Sequence, residues 1–276
     1  MPFLTHETET QNVDIFFEDH GHGQPVILIH GWPLSHQAWE QQTWAIVEAG
    51  YRCIAYDRRG FGNSSAPWRS YDYSTLASDL NAIISQLELK DVTIVGFSMG
   101  GGEVVRYCTD FGTSNISKVA LVSSIIPLVA QKDDNPDGVP QENLEEIIKA
   151  LQNDRVGFLK KFHKNFYNYT EDNETVSKAQ LDYDFSIASH ASPNATIQAA
   201  LAWAKTDFRA ELKNVDVPTL VVHGDADNIV PKATSGDQAA KGISNSTYKI
   251  IKDGPHGLNL THKDKLNSIL LDFLKS

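Results

Sequence analysis

The sequence predicts a doubly wound α/β fold, in which helices cover a mostly parallel β-sheet and a helical insertion interrupts the alternation once. Three observations carry that expectation. Short apolar runs recur along the chain, helical hydrophobic patterns lie between them, and one long stretch past the middle lacks any buried strand. The 276 residues, 41% of them apolar and 21% charged, suffice for one sheet-centred domain with an insertion and are too apolar for a mainly disordered chain.

The strands follow in order. VDIFFE from Val13, Val26–His30, Cys53–Tyr56, Val92–Val95, Val119–Val122, Thr219–His223 and Tyr248–Ile251 are each too brief for a helix. The first alternates, as a half-exposed edge strand does, whereas the others are continuous and β-branched, as expected when both faces of a sheet are covered. Between them, Trp39, Thr43, Ile46 and Val47 carry helical spacing, as do Leu76, Leu80, Ile83, Ile84 and Leu87, and near the end Leu266, Ile269, Leu270 and Phe273. Strand-helix alternation of this kind gives right-handed crossovers. From about Pro127 to Ala210 the turn-rich KDDNPDGVP is followed by helical stretches such as NLEEIIKAL and TIQAALAWA. The expected division is a core of residues 1–126 and 211–276 with a helical cap at 127–210. Ligands of open α/β sheets bind beyond the carboxyl ends of the strands, so such an insertion caps the site.

Charge and cysteine content narrow the partners. Thirty-five acidic against 24 basic side chains give a net charge of −11, which repels nucleic acid and anionic membranes. Cys53 and Cys108 allow one disulfide at most, and the composition suits a reducing cytosol. MPFLTHETETQ has neither a basic nor an apolar targeting region, and no run approaches the roughly 18 apolar residues of a membrane span, so a cytoplasmic protein is expected. A homo-oligomer is compatible with the sequence.

The sharpest chemical signal is Gly96-Phe97-Ser98-Met99-Gly100, directly after one apolar run and directly before a segment that forms a helix. A serine on such a strand-turn-helix corner is pushed out at the head of the sheet, and small neighbours let backbones approach it. Its hydroxyl needs a base, and the base needs a carboxylate to fix its tautomer. His256, in a loop after the last expected strand, lies at the same sheet edge; Asp225 and Asp227 both lie in the loop after Thr219–Gly224. Spacing leaves the choice between the two aspartates open. His30 and His223 each end an apolar run before a glycine, which suits turn formation or backbone hydrogen bonding. Backbone N–H groups for an oxyanion are expected from Trp32, after the early strand, and Met99, after the serine. The pocket wall is expected from Trp32, Pro33, Phe158, Phe162, Phe166 and Trp203, and Arg58-Arg59 is expected to form structural ion pairs. No HExxH, paired-cysteine or post-strand GxGxxG pattern occurs, so neither a metal nor a dinucleotide is expected.

HGWPLS (His30–Ser35), YDRRGFGNS (Tyr56–Ser64), GFSMGGGEVVRY (Gly96–Tyr107), HGDADNIVP (His223–Pro231) and GPHG (Gly254–Gly257) resemble the α/β-hydrolase family and, within it, the branch of cofactor-free haloperoxidases, aryl esterases and a related γ-lactamase. The resemblance implies Ser98 as nucleophile, Asp227 as the orienting acid, His256 as base, and Trp32 and Met99 as oxyanion donors. It also implies hydrolysis of small aryl or short-chain esters through an acyl-enzyme without a cofactor, with hydrogen peroxide able to replace water and give a peracid. Amide or γ-lactam hydrolysis is the alternative. A hydrolase-fold receptor need not keep a complete triad, and this chain keeps every member, which favours an enzyme over a binding protein.

Overall fold

A computed structural model describes residues 3–7 and 12–276. In chain order its elements are β1 (Phe3–Glu7), β2 (Asn12–His20), β3 (Pro25–Ile29), α1 (Glu40–Glu48), β4 (Arg52–Tyr56), α2 (Tyr73–Gln86), β5 (Val92–Phe97), α3 (Gly100–Phe111), β6 (Ile116–Val122), α4 (Gln141–Phe166), α5 (Lys178–His190), α6 (Pro193–Lys205), β7 (Thr219–Gly224), α7 (Gly236–Gly242), β8 (Ser246–Ile251), α8 (Leu258–Thr261) and α9 (Lys263–Lys275). The strands form one eight-stranded sheet in the order β1-β2-β4-β3-β5-β6-β7-β8. From β4 to β8 every neighbouring pair is parallel; β2 joins β4, and β1 joins β2, antiparallel.

The burial of each strand follows from its place. Every residue of β5 and β7 is buried, because helices cover both faces of the sheet centre. Among those helices α1 packs on α9 and α2 on α3. The alternation in β2 turns Val13, Ile15 and Phe17 into the core. That strand is not the outermost one, however. Phe3–Glu7 pairs along it, with Phe3 opposite Phe16, and only Leu4 of the five reaches the core. At the other end β8 departs from the expected fully covered strand: it is the edge, and Ile250 is 49% exposed. With a neighbour on one side only, its apolar residues do not need two covered faces.

The strand order reverses between β3 and β5. The chain leaves β3 for β4 on one side and reaches β5 on the other, and the crevice at such a switch point, beyond the carboxyl ends, is where open sheets bind ligands. Between β6 and β7 lie α4, α5 and α6, of which α4 packs against both others. Helix α4 breaks at Asp154, whose φ of −149° and ψ of 79° are not helical and whose carboxylate accepts the Gly157 N–H as an N-cap for the second half.

Candidate active site

Two close backbone approaches build the corner that carries Ser98. A Cβ on Gly96 would lie 2.7 Å from the Gly100 carbonyl oxygen, and one on Gly100 would lie 2.7 Å from the Ile29 carbonyl oxygen, so only glycine lets α3 start this close to β3 and β5. Ser98 itself has a φ of 52°, in the left-handed region. Its N–H donates to the Val122 carbonyl at 2.9 Å, and its own carbonyl accepts from Gly101 at 3.1 Å. The side chain is thereby aimed away from the sheet.

His256 Nε2 lies 2.9 Å from Ser98 Oγ, and His256 Nδ1 lies 2.7 Å from Asp227 Oδ2. Asp227 Oδ1 accepts the N–H groups of Ile229 at 2.9 Å and Val230 at 2.8 Å. Burial alone would raise the Asp227 carboxyl, but the attraction of His256 and the contacts with His223 and His256 outweigh it and hold the group well below the ordinary carboxylate range. An ionised carboxylate only accepts, so the His256 proton sits on Nδ1 and the bare Nε2 faces the serine hydroxyl. Phe97 and Phe166 pack on the imidazole with ring centroids 5.3 and 4.9 Å away. Asp225, the other aspartate of the loop, instead accepts the Asp253 N–H at 2.6 Å.

The Gly31–Trp32 peptide is fixed from its carbonyl side. Gly31 O accepts from Leu34 N–H at 3.1 Å and from His30 Nδ1 at 2.8 Å, while His30 Nε2 accepts the Arg58 N–H at 3.0 Å. Burial and the nearby Arg58 hold the His30 pKa well below its ordinary value, so the ring is neutral with its proton on Nδ1. A trans-planar peptide points N–H and C=O in opposite directions, which turns the Trp32 N–H away from that anchor. Among the described residues neither the Trp32 nor the Met99 backbone N–H is bonded to another group.

Beneath the loop, Arg58 pairs with Glu103 of α3 and donates to the His30 carbonyl at 2.6 Å, and Tyr56 donates to Glu103 at 2.6 Å. Arg59 grips Asp79 through two nitrogens, each at 2.6 Å. Both arginines are buried in ion pairs and neither lines the cavity.

A cavity of about 590 Å³ opens over Ser98 and His256, within the range of small-molecule sites. Trp32, Phe158, Phe162 and Trp203 line it as expected from the sequence, with Trp32 centred 5.3 Å from Phe162 and 5.9 Å from Trp203. Trp32 Nε1 donates to the Thr196 carbonyl at 2.9 Å and so ties the wall to α6. Two expected wall residues are not among the lining. Phe166 is fully buried against both Phe97 and His256, and Pro33 is buried outside the cavity. Val129, Leu144 and Ile147, with Ile229 of the loop after β7, add to the apolar wall and carry no sign of it in the sequence, since aliphatic residues read the same whether they face a cavity or a core. No group of three or more His, Cys, Asp or Glu among the described residues is arranged around a metal ion, and no described helix is long and apolar enough to cross a membrane.

An open parallel sheet with a serine on the turn at its switch point and helices over that edge defines a class of fold rather than a single activity. The family model for the alpha/beta hydrolase fold matches residues 24–263, and the chain belongs to that family. A non-heme chloroperoxidase of Kitasatospora aureofaciens is 40% identical over 269 residues, 97% of this chain and 98% of that protein. A bifunctional esterase/perhydrolase of Acinetobacter calcoaceticus is 32% identical over 272 residues, 98% and 99% of the two chains. The crystal structure of a bromoperoxidase from Bacillus anthracis superposes with a TM-score of 0.95 at 46% identity, covering 99% of this chain and 100% of that one.

Proposed function

We propose that the chain is a serine hydrolase that cleaves small carboxylic esters through an acyl-enzyme and passes the acyl group to water or to hydrogen peroxide. The observation that carries this reading is the hydrogen-bonded sequence Ser98, His256, Asp227 under a cavity lined by Trp32 and Met99, whose backbone N–H groups have no partner among the described residues. His256 takes the Ser98 proton as Oγ attacks the ester carbonyl. The oxygen that becomes negative is met by the Trp32 and Met99 N–H groups, and the imidazolium returns its proton to the departing alcohol. Water deprotonated by His256 then attacks the acyl carbonyl and releases the acid with Ser98 restored. Hydrogen peroxide attacking in the same way releases a peracid, which oxidises halide away from the protein. The helices between residues 127 and 210 act as a cap whose aromatic wall receives the apolar part of the ester.

A panel of short-chain and aryl esters, assayed for acid and for peracid with and without added peroxide, tests the reading. Turnover of an activated aryl acetate is expected, together with a Ser98→Ala residual on the order of one part in 10³ or less. A Ser98→Ala variant retaining more than about a tenth of the parent rate contradicts it.

A further inference from the structure

We propose that His223 is a positioning residue for the Asp227–His256 pair, holding the acid-bearing loop to the end of β7 through a single imidazole N–H. The proposal rests on the reading of Asp227 and His256 as acid and base. His223 is fully buried, and its Nε2 faces two oxygens: the Val230 carbonyl at 2.9 Å and Asp227 Oδ2 at 3.2 Å. Two acceptors on one nitrogen place the ring proton on Nε2. Nδ1, which has no partner among the described residues, is then the bare nitrogen.

These contacts close a ring. His223 donates to the Val230 carbonyl, the Val230 N–H donates to Asp227 Oδ1 at 2.8 Å, and Asp227 Oδ2 returns to the same imidazole edge while accepting from His256. Oδ1 is thus fixed by a loop that is itself pinned to a buried strand, and Oδ2 by the two imidazoles. Asn228 to Pro231 of this loop also line the cavity, so the same clasp sets the acid and part of the pocket wall.

The space for the imidazole is built in. A Cβ on Gly236 would stand 3.0 Å from His223 Cβ and Cγ, so any larger residue there would press on the ring. The ionisable groups on that side satisfy one another, since Tyr248 donates to Asp237 at 2.8 Å and Lys232 pairs with Asp237 at 2.9 Å. None of these bonds draws on the His223 N–H.

The test compares His223→Phe, which keeps a ring but no donor, with His223→Gln, whose amide nitrogen reaches the position of Nε2. In His223→Phe, kcat for an aryl acetate falls about tenfold while KM stays within about twofold, because the loss is of alignment rather than of ester binding. The proton resonance of His256 Nδ1–H, read without substrate, moves upfield as its bond to Asp227 lengthens, and His223→Gln restores both readouts. A folded His223→Phe with the parent kcat and resonance, a downfield move, or a Gln variant no better than Phe overturns the proposal. Nitrogen NMR of the parent protein needs no variant to fold: His223 carrying its proton on Nδ1 overturns it as well. The two NMR readings do not depend on turnover, so they fail separately from the hydrolase reading, which stands or falls with Ser98→Ala.

Discussion

Asp227→Asn removes a charge and leaves the shape, and the contacts of the carboxylate decide how the amide sits. Oδ1 accepts two backbone N–H groups, from Ile229 and Val230, so the amide oxygen takes that side and the NH₂ takes the side of Oδ2. The opposite orientation would set the NH₂ group against two backbone donors that cannot change, whereas on the Oδ2 side His223 keeps the Val230 carbonyl as its acceptor and His256 can change tautomer. The NH₂ group then faces His256, which can accept from it only with a bare Nδ1, and the His256 proton moves to Nε2, toward Ser98. In the proposed reaction His256 then lacks the lone pair that takes the serine proton. For an inverted tautomer in a site of this kind the expected fall in kcat is about 10⁴-fold, equivalent to about 5.5 kcal/mol of barrier. Initial rates with a saturating aryl acetate measure it, with circular dichroism as the control for folding, and Asp225→Asn serves as the matched comparison because the Asp225 carboxylate, among the described residues, bonds only the Asp253 N–H. An Asp227→Asn variant within about tenfold of the parent, or an Asp225→Asn variant more damaged than it, refutes the reasoning.

Arg58→Met leaves Glu103 buried without its cation and is expected to cost about 3–5 kcal/mol of unfolding free energy in a denaturant titration; adding Glu103→Leu should recover most of that loss. An additive double variant contradicts a coupled pair. Burial pushes the Asp184 carboxyl from 3.8 to about 6 despite hydrogen bonds from Tyr167 and Gln180. The folded value lies above the unfolded one, so the stability from the protonated group is fully present below pH 4 or so and is lost as pH rises through about 6. Asp184→Asn should therefore remove up to about 3 kcal/mol of pH dependence over that interval, seen as a thermal midpoint that no longer declines. Parallel curves for the two proteins would contradict this.

How far the sequence reaches depends on whether a feature is written locally. The central strands are legible because burial on both faces demands unbroken apolar runs, and the Ser98 corner is legible because two glycines flank a serine between a strand and a helix. Phe3–Glu7 is not, since an edge strand pairs through its backbone and needs just one inward residue, Leu4. The reverse holds at β8, where an apolar run sits at an edge. Asp225 and Asp227 are two residues apart in one loop, and which of them meets His256 depends on how that loop folds back. Phe166 and Phe162 likewise share α4 and its aromatic character, yet one wedges behind His256 and the other faces the cavity, because four residues of helix and the angle of the cap set their directions. The i, i+4 spacing of His223 and Asp227 was present in HGDAD, but a strand end followed by a turn has no helical periodicity from which to read a contact.

The most direct test of the account is covalent. Incubation with a fluorophosphonate, followed by intact-mass measurement and peptide mapping, should add one phosphonyl group to the protein at Ser98 and none to Ser98→Ala. Prior unfolding should abolish the addition, because the hydroxyl is reactive only beside His256. A folded protein that stays unlabelled, or one labelled on another residue with Ser98 unmodified, would contradict the central claim.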